Sequence, residues 1–166
     1  MINTMLTIFI FWINAFWAAE KPKNHYEVYI FLSEQCPISQ FYTLELKNIY
    51  AQYACDSIHF TAFFPVKTSN KQTIAAFTKL YELPFATKKD YSQRQAKKLG
   101  ASVVPQVFVL HKNTLLYSGK IDNAYERVGK KRSIITMHYL GTALAGIVQH
   151  QPIEVTKTEP IGCIFR

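Results

Sequence analysis

The chain has 166 residues, enough to build one hydrophobic core. Hydrophobic residues make up 49% and charged residues 18%, which excludes a disordered chain; 6 glycines and 7 prolines exclude a collagenous or low-complexity one. Three cysteines are too few for a disulfide-dense scaffold or a four-cysteine zinc site, and the formal charge of +8 allows acidic partners without naming one.

Residues 1–19, MINTMLTIFIFWINAFWAA, hold no ionisable side chain. The apolar part is about 15 residues, the length of a signal-peptide core and short of the roughly 20 that a membrane span needs. We read it as an export signal, cleaved or kept as an anchor, with a buried N-terminal helix as the third reading. Export would place residues 20–150, the folded domain, and the tail 151–166 in an oxidising periplasmic or extracellular compartment. The absence of Lys or Arg ahead of the apolar run, and Trp17 near the expected cut, depart from an ideal signal.

Residues 27–32 (EVYIFL) are a run of strand formers, read as a strand buried on both faces. The run ends at SEQCP, where Pro37 suits the first turn of a helix because its missing N–H needs no partner there. Ile38, Tyr42, Leu46, Ile49 and Tyr53 then mark one face of that helix. Residues 57–66 alternate Ile58, Phe60, Ala62 and Phe64 as a second strand. After a turn at 69–72, residues 73–83 place Ile74, Phe77 and Tyr81 on a helix face. A short helix over 91–99 stops at Gly100, a good C-terminal cap. Residues 103–110 (VVPQVFVL) are a third strand with Pro105 near its start, 111–114 a turn, and 115–118 a fourth strand. Residues 134–149 carry Met137, Leu140, Leu144 and Ile147 on one face and form the last helix. The rest, ending in EPIGCIFR, has no periodicity.

The order β-α-β-α-α-β-β-α predicts an α/β domain whose central mixed sheet is flanked by helices on both faces. The link between the last two strands is too short for a parallel crossover, so they form an antiparallel hairpin.

Cys36 is the sharpest chemical feature. It stands where a buried strand hands over to a helix, and the free N–H groups of a helix N-terminus favour a thiolate. A thiolate is the nucleophile in disulfide exchange and in peroxide reduction. A buried, inert thiol is the alternative. Pro105 is the second feature. It costs the strand a ladder hydrogen bond, so the position is either a cis bond turning the backbone toward a site or an ordinary strand-edge proline.

SEQCPIS after a buried strand, GASVVPQVFVL and LLYSGKID together resemble the thioredoxin-like superfamily. Within it, the chain resembles redoxin domains of the alkyl hydroperoxide reductase/thiol-specific antioxidant group. The run from GASVVPQVFVL through YSGKIDNAYERVG to PIGCIF is similar to an exported bacterial subgroup with a CP-I/M-S site, a Y-x-G-x-I-D segment and a terminal GC. The resemblance covers residues 25–165. It implies a thioredoxin-like fold and thiol chemistry at Cys36, either exchange with protein dithiols and disulfides or antioxidant reduction of a small peroxide. No dissociable cofactor is required. It implies a cis Val104–Pro105 bond against the reactive sulfur. A substrate groove of Pro37, Val104 and Pro105 would pair an extended chain with the Val104 backbone.

Two departures bear on mechanism. A CxxC motif reads here as Cys36-Pro37-Ile38-Ser39, so no local disulfide can form. The PxxxTxxC of peroxiredoxins has Tyr29 in place of Pro and Ser33 in place of Thr. Ser33 and Ser39 are candidate hydrogen-bond donors to sulfur. A resolving thiol must come from elsewhere: Cys163 in a tail read as mobile, Cys55 after the first long helix, or none. All three stay open, because a bridge needs Cα atoms within about 7 Å.

A copper or other metal carrier using Cys36 and Cys163, or a binding module without turnover, is the reading from another class. His25, His59, His111, His138 and His150 show no metal-ligand spacing and read as surface or packed imidazoles. Lys88-Lys89, Lys97-Lys98 and Lys130-Lys131-Arg132 read as solvated surface, with an anionic membrane surface or an acidic protein as the alternative. No nucleic-acid motif is present. Asp122 reads as the cap of a turn before the last helix, or as a group tuning a neighbour.

Overall fold

The structure is a computed structural model and describes residues 25–165. The export signal expected over 1–19 lies outside the described residues. Among the described residues no helix is long and apolar enough to cross a membrane.

Five strands form the central sheet in the order β3-β2-β1-β5-β6. They are β1 (Tyr26–Phe31), β2 (Ile58–Phe64), β3 (Ala86–Lys89), β5 (Gln106–His111) and β6 (Thr114–Gly119). β1 pairs in parallel with β2 and antiparallel with β5, and β5 and β6 form the expected hairpin. The five consecutive residues Gln106 to Leu110 are all buried, which requires cover on both faces of the sheet. That cover is α1 (Pro37–Tyr53), α2 (Lys71–Leu80), α3 (Arg94–Leu99) and α4 (Tyr139–Val148). Phe31, Phe108 and Tyr117 are among the largest fully buried side chains. Each such side chain contributes on the order of 1.5–3 kcal/mol by leaving water.

The antiparallel register of β1 and β5 positions the site. Phe31, the last residue of β1, lies opposite Gln106, the first of β5. The loop leaving β1 toward Cys36 therefore emerges beside the segment entering β5, which is Val104–Pro105.

The structure corrects the sequence reading in five places. The run 103–110 is two strands, β4 (Val103–Val104) and β5, because Pro105 has no N–H to give to a ladder. β3 is an extra edge strand, parallel to β2; its sequence ATKK is polar and carries no apolar alternation to announce it. Residues 125–131 hold a small hairpin, β7 (Tyr125–Arg127) and β8 (Lys130–Lys131), turning at Gly129 with φ of 80°. α4 starts at Tyr139, not at 134. The Asn123 side-chain oxygen accepts the backbone N–H groups of Thr136 and Met137, which keeps those donors out of a helix. Ile134 and Met137 are consequently exposed.

The fifth correction is the tail, which is packed rather than loose. Thr156 accepts the Ser118 N–H and Ser118 accepts the Thr158 N–H, so the tail bridges to β6. The Thr158 hydroxyl sits 2.8 Å from the Lys120 nitrogen and 2.9 Å from the Tyr117 hydroxyl. Gly119 makes room for it, since a Cβ there would overlap the Thr158 backbone and hydroxyl. The chain then ends in β9 (Cys163–Ile164), antiparallel to β4.

α2 begins with a capping box. The Asn70 side chain accepts the N–H groups of Gln72 and Thr73, and the Thr73 hydroxyl accepts the Asn70 N–H. Asn70→Ala removes the outgoing half of the box. The expected cost is about 1 kcal/mol of unfolding free energy, read by urea denaturation.

Candidate active site

Cys36 is the N-cap residue of α1, with extended φ and ψ of −89° and 115°, and Pro37 follows inside the first turn. No side chain caps this helix start, so the first-turn N–H groups remain available near Sγ. Cys36 is 2% exposed. Pro37 beside it is exposed.

Cys36 and Cys163 form a disulfide, with Cα atoms 6.2 Å apart across a sequence separation of 127. Of the three pairings left open by the sequence, this is the one present. Cys55 is free and exposed. Hydrogen bonding from Ser57 draws its thiol below the ordinary cysteine value.

The Val104–Pro105 bond is cis, and Val104 and Pro105 are both buried. Val104 lies opposite Cys163 and Val103 opposite Ile164 in the β4–β9 ladder. The Val104 carbonyl oxygen is 3.2 Å from Cys36 Sγ. In the disulfide Cys36 has no S–H, so this is a close contact; the reduced thiol would have that carbonyl as an acceptor. The cis-proline segment, the helix N-terminus and the tail thus meet at one sulfur pair.

Ser33 and Ser39 are both buried in this loop. Ser39 Oγ accepts the Ser33 N–H at 3.2 Å, and Ser33 Oγ accepts the Gln35 N–H at 3.3 Å. These two hydroxyls hold the loop's backbone in the disulfide-bonded state.

Two further site residues escaped the sequence reading. Glu34 ties the loop to α2: its carboxylate accepts the Ser69 hydroxyl at 2.7 Å and the Thr73 hydroxyl at 2.6 Å. Its backbone carbonyl accepts the Gln40 side-chain amide at 2.8 Å. No local pattern announces a glutamate that bonds across 39 residues. The second is Tyr42, which reads in sequence as a core position of α1. Its hydroxyl donates to Asp122 Oδ1 at 2.5 Å, and the same oxygen accepts the Ala124 N–H at 2.7 Å. Asp122 thus caps a turn before the last helix, the one that leads into β7. Its other oxygen, Oδ2, is buried without a hydrogen-bond partner in the structure. Asp122 also lines a cavity of about 10 Å³, walled by Tyr42, Pro105 and the tail's Ile161 among others. That is about the space one water needs.

The basic clusters lie on the surface. Lys130 and Arg132 pair with Glu126 at 2.5 and 3.5 Å, and Lys131 stands 3.9 Å over the Phe41 ring. Lys89 is tied to the Val66 carbonyl. Among the described residues no group of three or more His, Cys, Asp or Glu side chains is arranged to hold a metal ion.

The chain is similar in structure to a hypothetical protein from Sinorhizobium meliloti 1021, with 24% identity, 86% of this chain and 79% of that one covered, and a TM-score of 0.74. An uncharacterized conserved protein from Geobacillus kaustophilus matches with 19% identity over 86% and 77% of the two chains, at a TM-score of 0.76. A secreted disulfide oxidoreductase of Mycobacterium tuberculosis, homologous to E. coli DsbE, matches with 13% identity over 74% and 81%, at a TM-score of 0.55. No family model and no curated protein matches the sequence. The fold these neighbours share with the chain is the thioredoxin-like fold.

Burial, reinforced by the bond to Asp122, raises the Tyr42 phenol well above the ordinary tyrosine value. Burial also pushes Tyr29 and Tyr117 up to about 12. These folded-state values exceed the unfolded ones. The stabilisation they represent is therefore complete below about pH 10 and is lost as pH climbs toward the folded values. In an alkaline titration followed by tyrosinate absorbance, the native protein should lag the denatured chain above about pH 10. Tyr42→Phe should leave the early native phase unchanged and remove one tyrosine from the denatured titration. The same variant takes one of the two donors from the buried Asp122 oxygen and should lower stability by about 1–3 kcal/mol.

Proposed function

We propose that this protein is a thiol–disulfide exchange protein of an exported compartment, with Cys36 as the attacking thiolate and Cys163 as the resolving thiol. The observation that carries the reading is the Cys36–Cys163 disulfide, formed between a helix N-terminus and a strand laid on Val104. The reading also accords with the secreted disulfide oxidoreductase that shares the fold, and with the export signal read over residues 1–19.

In the reduced protein, the Cys36 thiolate attacks one sulfur of a substrate disulfide. A new bond forms between Cys36 and that sulfur, and the other substrate sulfur leaves as a thiolate. The Cys163 thiolate then attacks Cys36, forming the Cys36–Cys163 bond and releasing the second substrate thiol. One electron pair passes from the protein dithiol to the substrate, and the reverse sequence oxidises a substrate dithiol. The helix N-terminus favours charge on Cys36 both as attacking and as leaving sulfur. Pro37, Val104 and Pro105 shape the groove, and Ser33 and Ser39 hold the loop that presents the sulfur. All the electrons move between sulfurs, so the exchange needs no dissociable cofactor.

A metal carried between the two thiolates would require the disulfide to be reduced, and no third ligand gathers there among the described residues. The exchange reading is favoured for that reason.

Thiol trapping with mass spectrometry tests it. The wild-type protein should show two reductant-dependent thiols, at Cys36 and Cys163, and one always free, at Cys55. Cys36→Ser should abolish exchange with disulfide substrates, while Cys163→Ser should accumulate mixed disulfides on Cys36. Three free thiols after mild oxidation would sink the resolving role of Cys163. Rapid oxidation of Cys36 by peroxide, without exchange activity, would redirect the reading to peroxide reduction. Chain entropy gives a loop of about 100 residues roughly 4.7 kcal/mol of cross-link stabilisation. Reduction should accordingly lower the unfolding free energy by several kcal/mol, read by urea denaturation with and without reductant.

A further inference from the structure

A substrate of the proposed exchange must lie where the tail now lies, and the tail shows what that position demands. Cys163 stands opposite Val104, with its sulfur on Cys36. One residue earlier the chain passes directly over the Val104–Pro105 peptide. A Cβ on Gly162 would overlap the Val104 carbonyl oxygen, lie 2.6 Å from the Val104 carbonyl carbon and 3.1 Å from the Pro105 nitrogen. All three are backbone atoms of a buried segment, so none can swing aside as the end of a flexible side chain would. Gly162 is itself buried. The next position contrasts with it: Ile164 is 73% exposed.

We infer that this groove selects its thiol substrate by the residue preceding the cysteine: glycine is accepted there, and a residue carrying a Cβ is disfavoured. The inference rests on the exchange reading above and deepens it. The register leaves little choice. A cysteine whose backbone pairs with Val104, and whose sulfur reaches Cys36, must carry its preceding residue over the same peptide group. The position after the cysteine faces solvent and tolerates substitution. The substrate class is an extended polypeptide segment bearing Gly-Cys, and the protein's own Gly162-Cys163 is the resident example.

The test uses the full chain with Cys163→Ser, reduced, and the peptide Pro-Ile-Gly-Cys-Ile-Phe carrying thionitrobenzoate on its cysteine. The Cys36 thiolate attacks the peptide sulfur. The protein–peptide bond forms, the peptide–thionitrobenzoate bond breaks, and coloured thionitrobenzoate leaves with the electron pair. Two further peptides place Ala before the cysteine or Ala after it. The tail competes equally with all three, so their ratios are unaffected. Exposed Cys55 reports each peptide's intrinsic reactivity, and mass spectrometry separates the two adducts.

The glycine peptide should modify Cys36 at least about tenfold faster than the peptide with Ala before the cysteine. The change after the cysteine should matter by no more than about twofold. Cys55 should not discriminate. Equal rates at Cys36 for the Gly and Ala peptides would overturn the inference while leaving the exchange reading standing. Modification of Cys55 alone, by every peptide, would overturn the exchange reading and the inference with it. Gly162→Ala in the otherwise unaltered chain supplies a second measurement that needs no cysteine variant. The equilibrium of the Cys36–Cys163 disulfide with glutathione should shift at least about tenfold toward the reduced form. An unchanged equilibrium would contradict the steric rule directly.

Discussion

β1 lies between a parallel and an antiparallel neighbour, and the site depends on that pairing. Parallel pairing with β2 requires a crossover, which α1 supplies, so the chain must leave the end of β1 through a helix N-terminus. Antiparallel pairing with β5 brings the start of β5 to that same end. The Cys36 loop and the Val104–Pro105 segment are neighbours for this reason, although 68 residues separate Cys36 from Val104. Pro105 then ends the ladder on its N-terminal side, because it has no N–H to pair. Val103 and Val104 are left outside the main sheet, free to receive a different strand, and β9 is that strand.

Polar groups hold this junction in place from two sides. Glu34 reaches the start of α2 through the hydroxyls of Ser69 and Thr73, and Thr73 also closes the capping box with Asn70. The loop before Cys36 and the first turn of α2 therefore share one hydrogen-bonded cluster. On the other side, Tyr42 carries α1 to Asp122, and Asp122 orders the turn after β6. Buried polar groups satisfied by hydrogen bonds specify geometry more than they add stability. The tail is fixed separately at Thr158, ahead of the β9 pairing.

The surface follows from composition. The formal charge is +8, and basic side chains cluster on β3, α3 and the β7–β8 hairpin, where some are paired or stacked locally. The basic edge strand β3 also protects the sheet, since lysines discourage pairing with another chain.

Much of the central architecture was legible in the sequence because it is written in short-range periodicity. The apolar runs at 27–32 and 57–66, the helix face from Ile38 to Tyr53 and the glycine stop at Gly100 all correspond to elements of the fold. Cys36 before Pro37 was legible as a helix-start thiol for the same local reason. What lay beyond reach was decided by contacts distant in sequence. β3 is a strand because β2 offers it an edge, not because ATKK prefers to be one. Residues 134–138 stay out of α4 because Asn123 takes two of their N–H groups, overriding an apolar spacing that suited a helix. The partner of Cys36 was open among Cys163, Cys55 and neither, since spacing says nothing of Cα distance; the pairing of β9 with β4 settled it. The sequence by itself determined the main strands and helices of an α/β domain and the place of Cys36 at a helix start, because those depend on neighbours within a few residues. Only the tertiary structure decided what that sulfur meets, because the tail and the cis-proline segment are brought to it by strand pairing distant in sequence.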